Sequence, residues 1–295
     1  MHILVTGANG MLGSDICQIM THSEHEITPT DVTGDAVKMD ITDRQDVRGI
    51  LERYQPEVVI HCAAWTNVDG AEQNLDAAYR LNALGSWNMA SECAEMDIPL
   101  CAISTDFVFN GKKSGYYTEF DTPAPLSVYG ASKWAGEQAI QRIWRKHWIV
   151  RTAWLFGVNG KSFPNSIMNA AARWKTGDPP LRIVADQTGT PTFTRDLATV
   201  LMNITTTPLL YGVYHCSNHG VTTWYEFARK ALELSGYGHV PVLPIRSADW
   251  PTPTPRPSNS ALRPLALEMQ GSALPQPWEN ALECFVKLRS EKRST

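Results

Sequence analysis

The 295-residue chain has no uninterrupted apolar run of the ~18 residues that a spanning helix needs, which argues against an integral membrane protein. Residues 1–25 lack the basic-then-apolar pattern of a secretory leader, and a soluble, cytoplasmic protein with no membrane partner is expected. Positive charge is also scarce. The 26 Lys and Arg are outnumbered by 30 Asp and Glu, so the net charge of −4 offers no field for a nucleic-acid backbone. The six cysteines (Cys17, Cys62, Cys93, Cys101, Cys216 and Cys284) form no CxxC pair, and several lie in apolar runs. They read as reduced core residues, and no metal site is expected. There are no repeats, and proline is dense only near residue 250.

What is present begins at the first residues. His2-Ile-Leu-Val-Thr6 is a short apolar strand, Gly7-Ala-Asn9-Gly10-Met11-Leu12-Gly13 a glycine turn, and Ser14 to Met20 an apolar pattern of helical period. Glycines at such a turn permit tight backbone geometry and close approach of a pyrophosphate, and the helix start offers free N–H groups to it. A second strand, Glu26-Ile-Thr-Pro-Thr-Asp31, ends in a carboxylate. Asp31 either caps a turn or accepts from the adenosine ribose hydroxyls; in the second case NADH is favoured, because a carboxylate repels a 2′-phosphate.

Ala36 to Ile41 reads as a third strand with Asp40 and Ile41 at its carboxyl end, and Thr42-Asp43 as the cap of a helix to about Tyr54. Glu57 to Ala64 is nearly all apolar, as in a strand buried on both faces. Its small Ala63 and Ala64 would let a flat cofactor lie against backbone. Residues 69–96 have helical periodicity, with Asn82 facing solvent, and Pro99 to Thr105 forms a fifth strand whose end displays Ser104, Thr105 and Asp106. This alternation predicts an α/β Rossmann-type doubly wound parallel sheet that binds its ligands outside the strands' carboxyl ends.

Tyr129 and Lys133, in Ser127-Val-Tyr-Gly-Ala-Ser-Lys-Trp-Ala-Gly-Glu137, lie four residues apart. On a helix they share one face, roughly 6 Å apart along the axis. A phenol that exchanges its proton near neutral pH needs a cation beside it, which a lysine one turn on supplies.

With these stretches in place, the chain resembles the extended short-chain dehydrogenases/reductases, and more narrowly the dTDP-4-dehydrorhamnose reductases, over nearly its whole length. The resemblance rests on Thr6-Gly-Ala-Asn-Gly-Met-Leu-Gly13, Ala63-Ala-Trp-Thr66-Asn-Val-Asp69, Ser104-Thr-Asp-Phe-Val-Phe109 and Val128-Tyr-Gly-Ala-Ser-Lys133. It continues in Arg151-Thr-Ala-Trp154, Asp186-Gln-Thr-Gly-Thr-Pro-Thr192, Thr222-Thr-Trp224 and Arg256-Pro-Ser-Asn-Ser260. The last motif and the Asp186 motif are the most particular to the subfamily. The resemblance implies reduction of the 4-keto group of a nucleotide-linked 6-deoxyhexose, dTDP-4-dehydro-L-rhamnose, by NADPH or NADH. Tyr129 would then be the general acid, Lys133 would hold the nicotinamide ribose and stabilise the phenolate, and Thr105 would polarise the carbonyl. Asp106 would contact a sugar hydroxyl. Thr66 would join the cofactor contacts.

Trp154, at the end of the strand Trp148 to Thr152, either packs or offers its indole face to the sugar. Further on, a helix over 162–175, a strand Leu181 to Ala185, a helix from Thr194 to Asn203, a strand Gly212 to Cys216 and a capped helix from Thr222 to Ser235 are expected. Asp249 to Pro257 is an extended proline-rich loop, either a linker or the setting in which Arg256 meets a diphosphate. A closing helix spans 276–289, with fraying beyond Arg289. The expected division is a dinucleotide domain over 1–152, rejoined around 194–220, and a smaller α/β substrate domain from 153–193 and 221–295. A homodimer is considered. The resemblance leaves two rivals, an NDP-sugar epimerase that keeps its cofactor and a non-catalytic dinucleotide-binding regulatory subunit. Phe107 stands where 4,6-dehydratases of this fold carry Glu and argues against them.

Overall fold

The computed structural model describes residues 1–21, 23–207 and 209–294. Its centre is a seven-stranded sheet of β1 (His2–Thr6), β2 (Glu26–Asp31), β3 (Val37–Lys38), β4 (Val58–His61), β5 (Leu100–Thr105), β6 (His147–Thr152) and the strand Gly212–His215. The order is Gly212–His215, β6, β5, β4, β1, β2, β3, and every pairing is parallel. The order reverses between β1 and β4, and open α/β sheets place their ligand crevice at that switch point. β4 is buried along its whole length, as its unbroken apolar sequence requires.

One face is covered by α1 (Met11–Met20) and the helix Thr194–Thr206, the other by α2 (Arg44–Tyr54), α5 (Gly85–Glu95) and α6 (Val128–Ile143). Leu197, Ala198 and Leu201 pack with Ile3, Val5 and Ile16 on the first face, and Met89, Cys93 and Ile140 with Leu4, Val59 and Leu100 on the second. At ~25 cal/mol per Å² of apolar surface, each such side chain contributes about 1.5–3 kcal/mol.

The third strand is shorter than its sequence pattern. After Lys38 the chain turns, because the Asp46 carboxylate accepts from the Asp40 N–H and Asp40 accepts from the Thr42 N–H, feeding the backbone into α2. The helical stretch expected over 69–96 is also divided. It comprises α3 (Val68–Gln73), α4 (Leu75–Tyr79), a π-helical turn Arg80–Leu84, and α5. Asn74 interrupts it with non-helical backbone (φ −134°, ψ 55°).

In the second half, short strands pair as Leu155–Phe156 with Thr192–Phe193, Thr188–Gly189 with Thr222–Thr223, and Leu181–Val184 with Val242–Ile245. An aromatic cluster of Phe156, Phe193, Phe227, Trp278 and Phe285 joins the chain on either side of its return to the large sheet. The helix Trp224–Leu234 starts with a capping box in which Thr223 and Glu226 satisfy each other's backbone N–H. The closing helix runs from Trp278 to Ser294 and does not fray at Arg289, whose guanidinium donates to Asn165 and Asn169. Cys93, Cys101 and Cys216 are buried, but Cys284 is exposed and is not a core residue. Among the described residues, no helix is long and apolar enough to cross a membrane.

Candidate active site

A cleft of about 770 Å³ opens over the carboxyl ends of β1, β4 and β5. Gly7, Asn9, Gly10, Met11, Leu12, Gly13, Asp31, Ile41, Ala63, Ala64 and Thr66 line one end, and Thr105, Asp106, Tyr129, Lys133 and Trp154 line the other. A larger depression of about 860 Å³ beside the helix Trp224–Leu234 holds none of the predicted site residues.

The glycine turn is built for close approach. Gly7 has φ +65°, and a Cβ there would lie 2.8 Å from the Ala63 nitrogen; one on Gly13 would lie 2.2 Å from the Gly7 carbonyl oxygen. Neither position tolerates a side chain without moving backbone. Where α2 and α6 are capped by Asp43 and Ser127, α1 begins at Gly10 with no side-chain cap and no acid in its first turn. Its first N–H groups and the positive end of its dipole therefore face the cleft, a donor set that fits a pyrophosphate. Asp31 accepts from the Asn9 N–H at 3.1 Å and from the N–H and hydroxyl of Thr33, so it both closes the turn and stands at the cleft wall.

At the other end, Ser127 caps α6 through the Gly130 N–H. Gly130 lets the helix lie directly on the chain after β5, since a Cβ there would meet the Phe107 carbonyl oxygen at 2.2 Å. This contact brings Tyr129 beside Thr105, whose side chain acts on the phenol. Burial pushes the Tyr129 phenol up to about 12, opposed by Thr105 and assisted by the Asp106 charge. Burial likewise pushes the Asp106 carboxyl up to about 6. Asp106 accepts from the Thr105 hydroxyl at 3.1 Å, while its second oxygen is buried with no partner in direct hydrogen-bonding geometry; the Ser260 side chain opposes the effect of burial on this carboxyl more than Thr105 does.

Lys133 has a different setting from the one its spacing implies. Its Nζ donates to the Ile103 carbonyl at 2.7 Å, and burial lowers it to about 8 against the opposing pull of Glu137. With its ammonium on that carbonyl, Lys133 is not among the groups that shift the phenol in this arrangement. The Phe107 ring stands edge-on to Tyr129 at 5.6 Å and 74°, filling the space beside the phenol with apolar surface.

Trp154 lies at the cleft in an unusual backbone conformation, φ +47°. Such a conformation costs about 1–3 kcal/mol in a residue other than glycine and persists only where its surroundings hold it. They do so here. Its indole stacks on Trp224 at 3.6 Å and 9°, Gly189 lies against it so closely that a Cβ would sit 2.4 Å from Cε2, and Trp224 is tied by its Nε1 to Gln187. The indole is thus held in place by the Asp186 and Thr222 motifs.

Two predicted residues lie outside the cleft. In the turn that follows β3, Met39 and Ile41 point inward to the cleft and Asp40 is exposed, accepting in the turn into α2. Arg256 pairs with Asp69 of α3 at 3.1 Å, and the Thr254 hydroxyl donates to the Val68 carbonyl. The proline-rich segment therefore reaches across to the first half of the chain. Asn82 is buried and does not face solvent: it accepts from the Trp65 N–H at 2.8 Å and donates to the Ser132 hydroxyl at 2.9 Å. Sequence periodicity missed it because the π-helical turn rotates it inward. Met39, Thr30, Leu81 and Ile103 also line the cleft, and nothing in their apolar or β-strand patterns distinguishes them from core.

The family model described as the RmlD substrate binding domain matches residues 1–290. The chain belongs to this family. It is 36% identical over 288 residues to the spore coat polysaccharide biosynthesis protein SpsK of Bacillus subtilis, covering 98% of each chain. The crystal structure of a dTDP-4-dehydrorhamnose reductase from Clostridium acetobutylicum matches with a TM-score of 0.91 at 37% identity, covering 98% of this chain and 100% of that one. The dTDP-4-dehydrorhamnose reductase of Bacillus anthracis, solved in complex with NADP, matches with a TM-score of 0.89 at 36% identity, covering 96% and 98%. Family membership thus extends across both halves of the chain and across the motifs that hold Trp154.

Proposed function

We propose that this protein is an NAD(P)H-dependent nucleotide-sugar 4-ketoreductase that converts dTDP-4-dehydro-L-rhamnose to dTDP-L-rhamnose. The observation that carries this reading is the convergence of Thr105, Tyr129 and Lys133 beside an uncapped helix start, in a chain of this family. Tyr129 is the proton donor. Burial keeps its phenol protonated at neutral pH, and the substrate oxygen takes that proton as charge develops on it. Thr105, beside Tyr129, fixes the carbonyl oxygen, and Asp106 offers a carboxylate oxygen to a sugar hydroxyl. Lys133 supplies the cation that steadies the phenolate and a donor for the cofactor ribose. Bound nicotinamide would supply the hydride. Gly7 to Gly13, Asp31, Ile41, Ala63, Ala64 and Thr66 form the cofactor wall, and Trp154 borders the sugar.

The division into a dinucleotide part (1–152 with 194–220) and a substrate part (153–193 with 221–295) belongs to the same proposal. So do a cytoplasmic location and a homodimer. Leu84 and Trp87, both about half exposed, offer apolar surface to a second copy, and sedimentation would distinguish 32.8 kDa from twice that mass.

The deciding experiment follows NADPH or NADH absorbance at 340 nm with purified protein and dTDP-4-dehydro-L-rhamnose in parallel cuvettes. Loss of signal matched by dTDP-L-rhamnose is expected. Bound dinucleotide without turnover of this sugar would overturn the assignment.

A further inference from the structure

One turn beyond Lys133, Glu137 is almost wholly buried, 2% exposed. A carboxylate is retained at such a depth only with strong partners. It has them on two strands. Arg151 of β6 grips it with Nε at 3.0 Å from Oε1 and Nη2 at 2.7 Å from Oε2, and the Ser104 hydroxyl of β5 donates to Oε1. Ser104 and Arg151 are register partners in the sheet, so one carboxylate of α6 is bonded to two adjacent strands at the same level. Arg151 is itself confined, with its guanidinium 5.3 Å from the Phe109 ring and 5.8 Å from the Trp134 ring. Ile103, whose carbonyl takes the Lys133 ammonium, directly precedes Ser104, and Thr105 directly follows it. The clamp therefore spans the two elements that must be held in register: the helix with Tyr129 and Lys133, and the strand end with Thr105.

Charge makes the same connection. The groups that act on Lys133 are Glu137 on its own helix and His61 and Cys62 from β4 and the residue after it, with Arg151 behind Glu137. Burial pushes His61 down to about 3 and Cys62 up to about 12, so both are neutral, and the Tyr129 phenol is neutral as well. Asp106 faces the phenol. Glu137 is thus the anion that offsets the burial of the Lys133 cation.

We propose that Glu137 is a positioning residue: clamped by Arg151 and Ser104, its carboxylate fixes α6 on the strand end and supplies the counter-charge that keeps Lys133 protonated at neutral pH. The proposal rests on Lys133 acting as the cation of the 4-ketoreductase. Removing that charge while keeping the shape leaves the buried Lys133 cation without its counter-charge, and its proton is then lost at lower pH.

Glu137→Gln tests this. Rates and NADPH affinity, the latter from quenching of protein fluorescence, are measured from pH 5.5 to 9.5 for wild type and variant. The wild type is expected to lose both as pH rises through about 8. In Glu137→Gln the midpoint of both curves moves down by about one unit or more, the size typical of losing a close opposite charge. For a one-unit shift from about 8, the protonated fraction at pH 7.5, and kcat with it, falls about threefold, and most of it returns at pH 6. Glu137→Asp, which keeps the charge, retains the wild-type midpoint. If Glu137→Gln does not fold, the pair Glu137→Met with Arg151→Met, an apolar replacement of the ion pair, carries the same comparison and must also lower the midpoint. A folded variant with an unshifted midpoint in both measurements overturns the proposal. A wild type with no limb near 8 in either measurement overturns the Lys133 assignment instead.

Discussion

Gly189→Ala addresses the sugar end of the cleft with the smallest possible change. The added Cβ would lie 2.4 Å from Cε2, 2.6 Å from Cζ2 and 2.7 Å from Nε1 of Trp154. Carbon atoms settle at ~3.5–4.0 Å, so the indole must shift by about 1 Å or tilt. It has nowhere to retreat, because Trp224 stacks on it at 3.6 Å and is itself backed by Phe163 at 4.6 Å and tethered to Gln187. Overpacking of this kind costs about 1–3 kcal/mol. At ~1.4 kcal/mol per factor of ten, and with the cost borne by substrate binding, KM for the ketosugar rises roughly 5- to 150-fold. The KM for NADPH stays constant, since Gly189 does not line the cofactor wall. Initial rates at 340 nm over a range of ketosugar, with near-ultraviolet circular dichroism to register the disturbed tryptophan pair, make the test. An altered dichroism signal with an unchanged sugar KM would refute the placement of Trp154 against substrate. An unchanged signal would refute the packing argument itself.

The other predictions concern chemistry, cofactor and stability. Tyr129→Phe lowers kcat by about 10²–10⁴ with the melting temperature retained; turnover near wild type would remove Tyr129 as the acid. Gly13→Ala, whose Cβ would lie 2.2 Å from the Gly7 carbonyl, displaces α1 from the turn and weakens NADPH binding by an order of magnitude or more at ~1–3 kcal/mol of strain; calorimetric titration reads it, and an unaltered Kd would contradict the close-approach geometry. The value of kcat/KM should fall on both sides of a neutral plateau. On the acid side the Asp106 carboxylate is protonated as pH falls through about 6, and on the alkaline side the Lys133 cation is lost as pH rises through about 8. A profile flat to pH 9.5 would contradict the alkaline assignment. Thr223→Ala removes half of a capping box and lowers unfolding free energy by about 1 kcal/mol, measured by urea titration; an unchanged value would contradict the capping role.

Local physics wrote the first half of the fold plainly into the sequence. The strands β1, β2, β4, β5 and β6 are short apolar runs bounded by turn residues, and the glycine turn is legible because only glycine fits where backbone meets backbone at Gly7 and Gly13. Tyr129 and Lys133 share a helical face by spacing alone. The same local reading failed where tertiary contacts overrode it. Asn82 looked like a surface residue until a π-helical turn rotated it toward Trp65 and Ser132. Asp40 sits one residue from the inward positions of Met39 and Ile41, and the turn that follows β3 put it outside.

The sequence by itself determined the order of the large sheet's strands along the chain, the glycine turn at the cleft and the shared helical face of Tyr129 and Lys133. These depend on periodicity and on backbone sterics, which act over a few residues. Only the tertiary structure decided the surroundings of those groups. Burial holds the Tyr129 phenol near 12 and Lys133 near 8, the ammonium turns to the Ile103 carbonyl, and Arg256 spends its charge on Asp69. Glu137 and Arg151 meet over 14 residues, and Trp154 and Trp224 over 70. Desolvation and contact across such separations depend on which surfaces the whole chain brings together, and no local pattern carries that information.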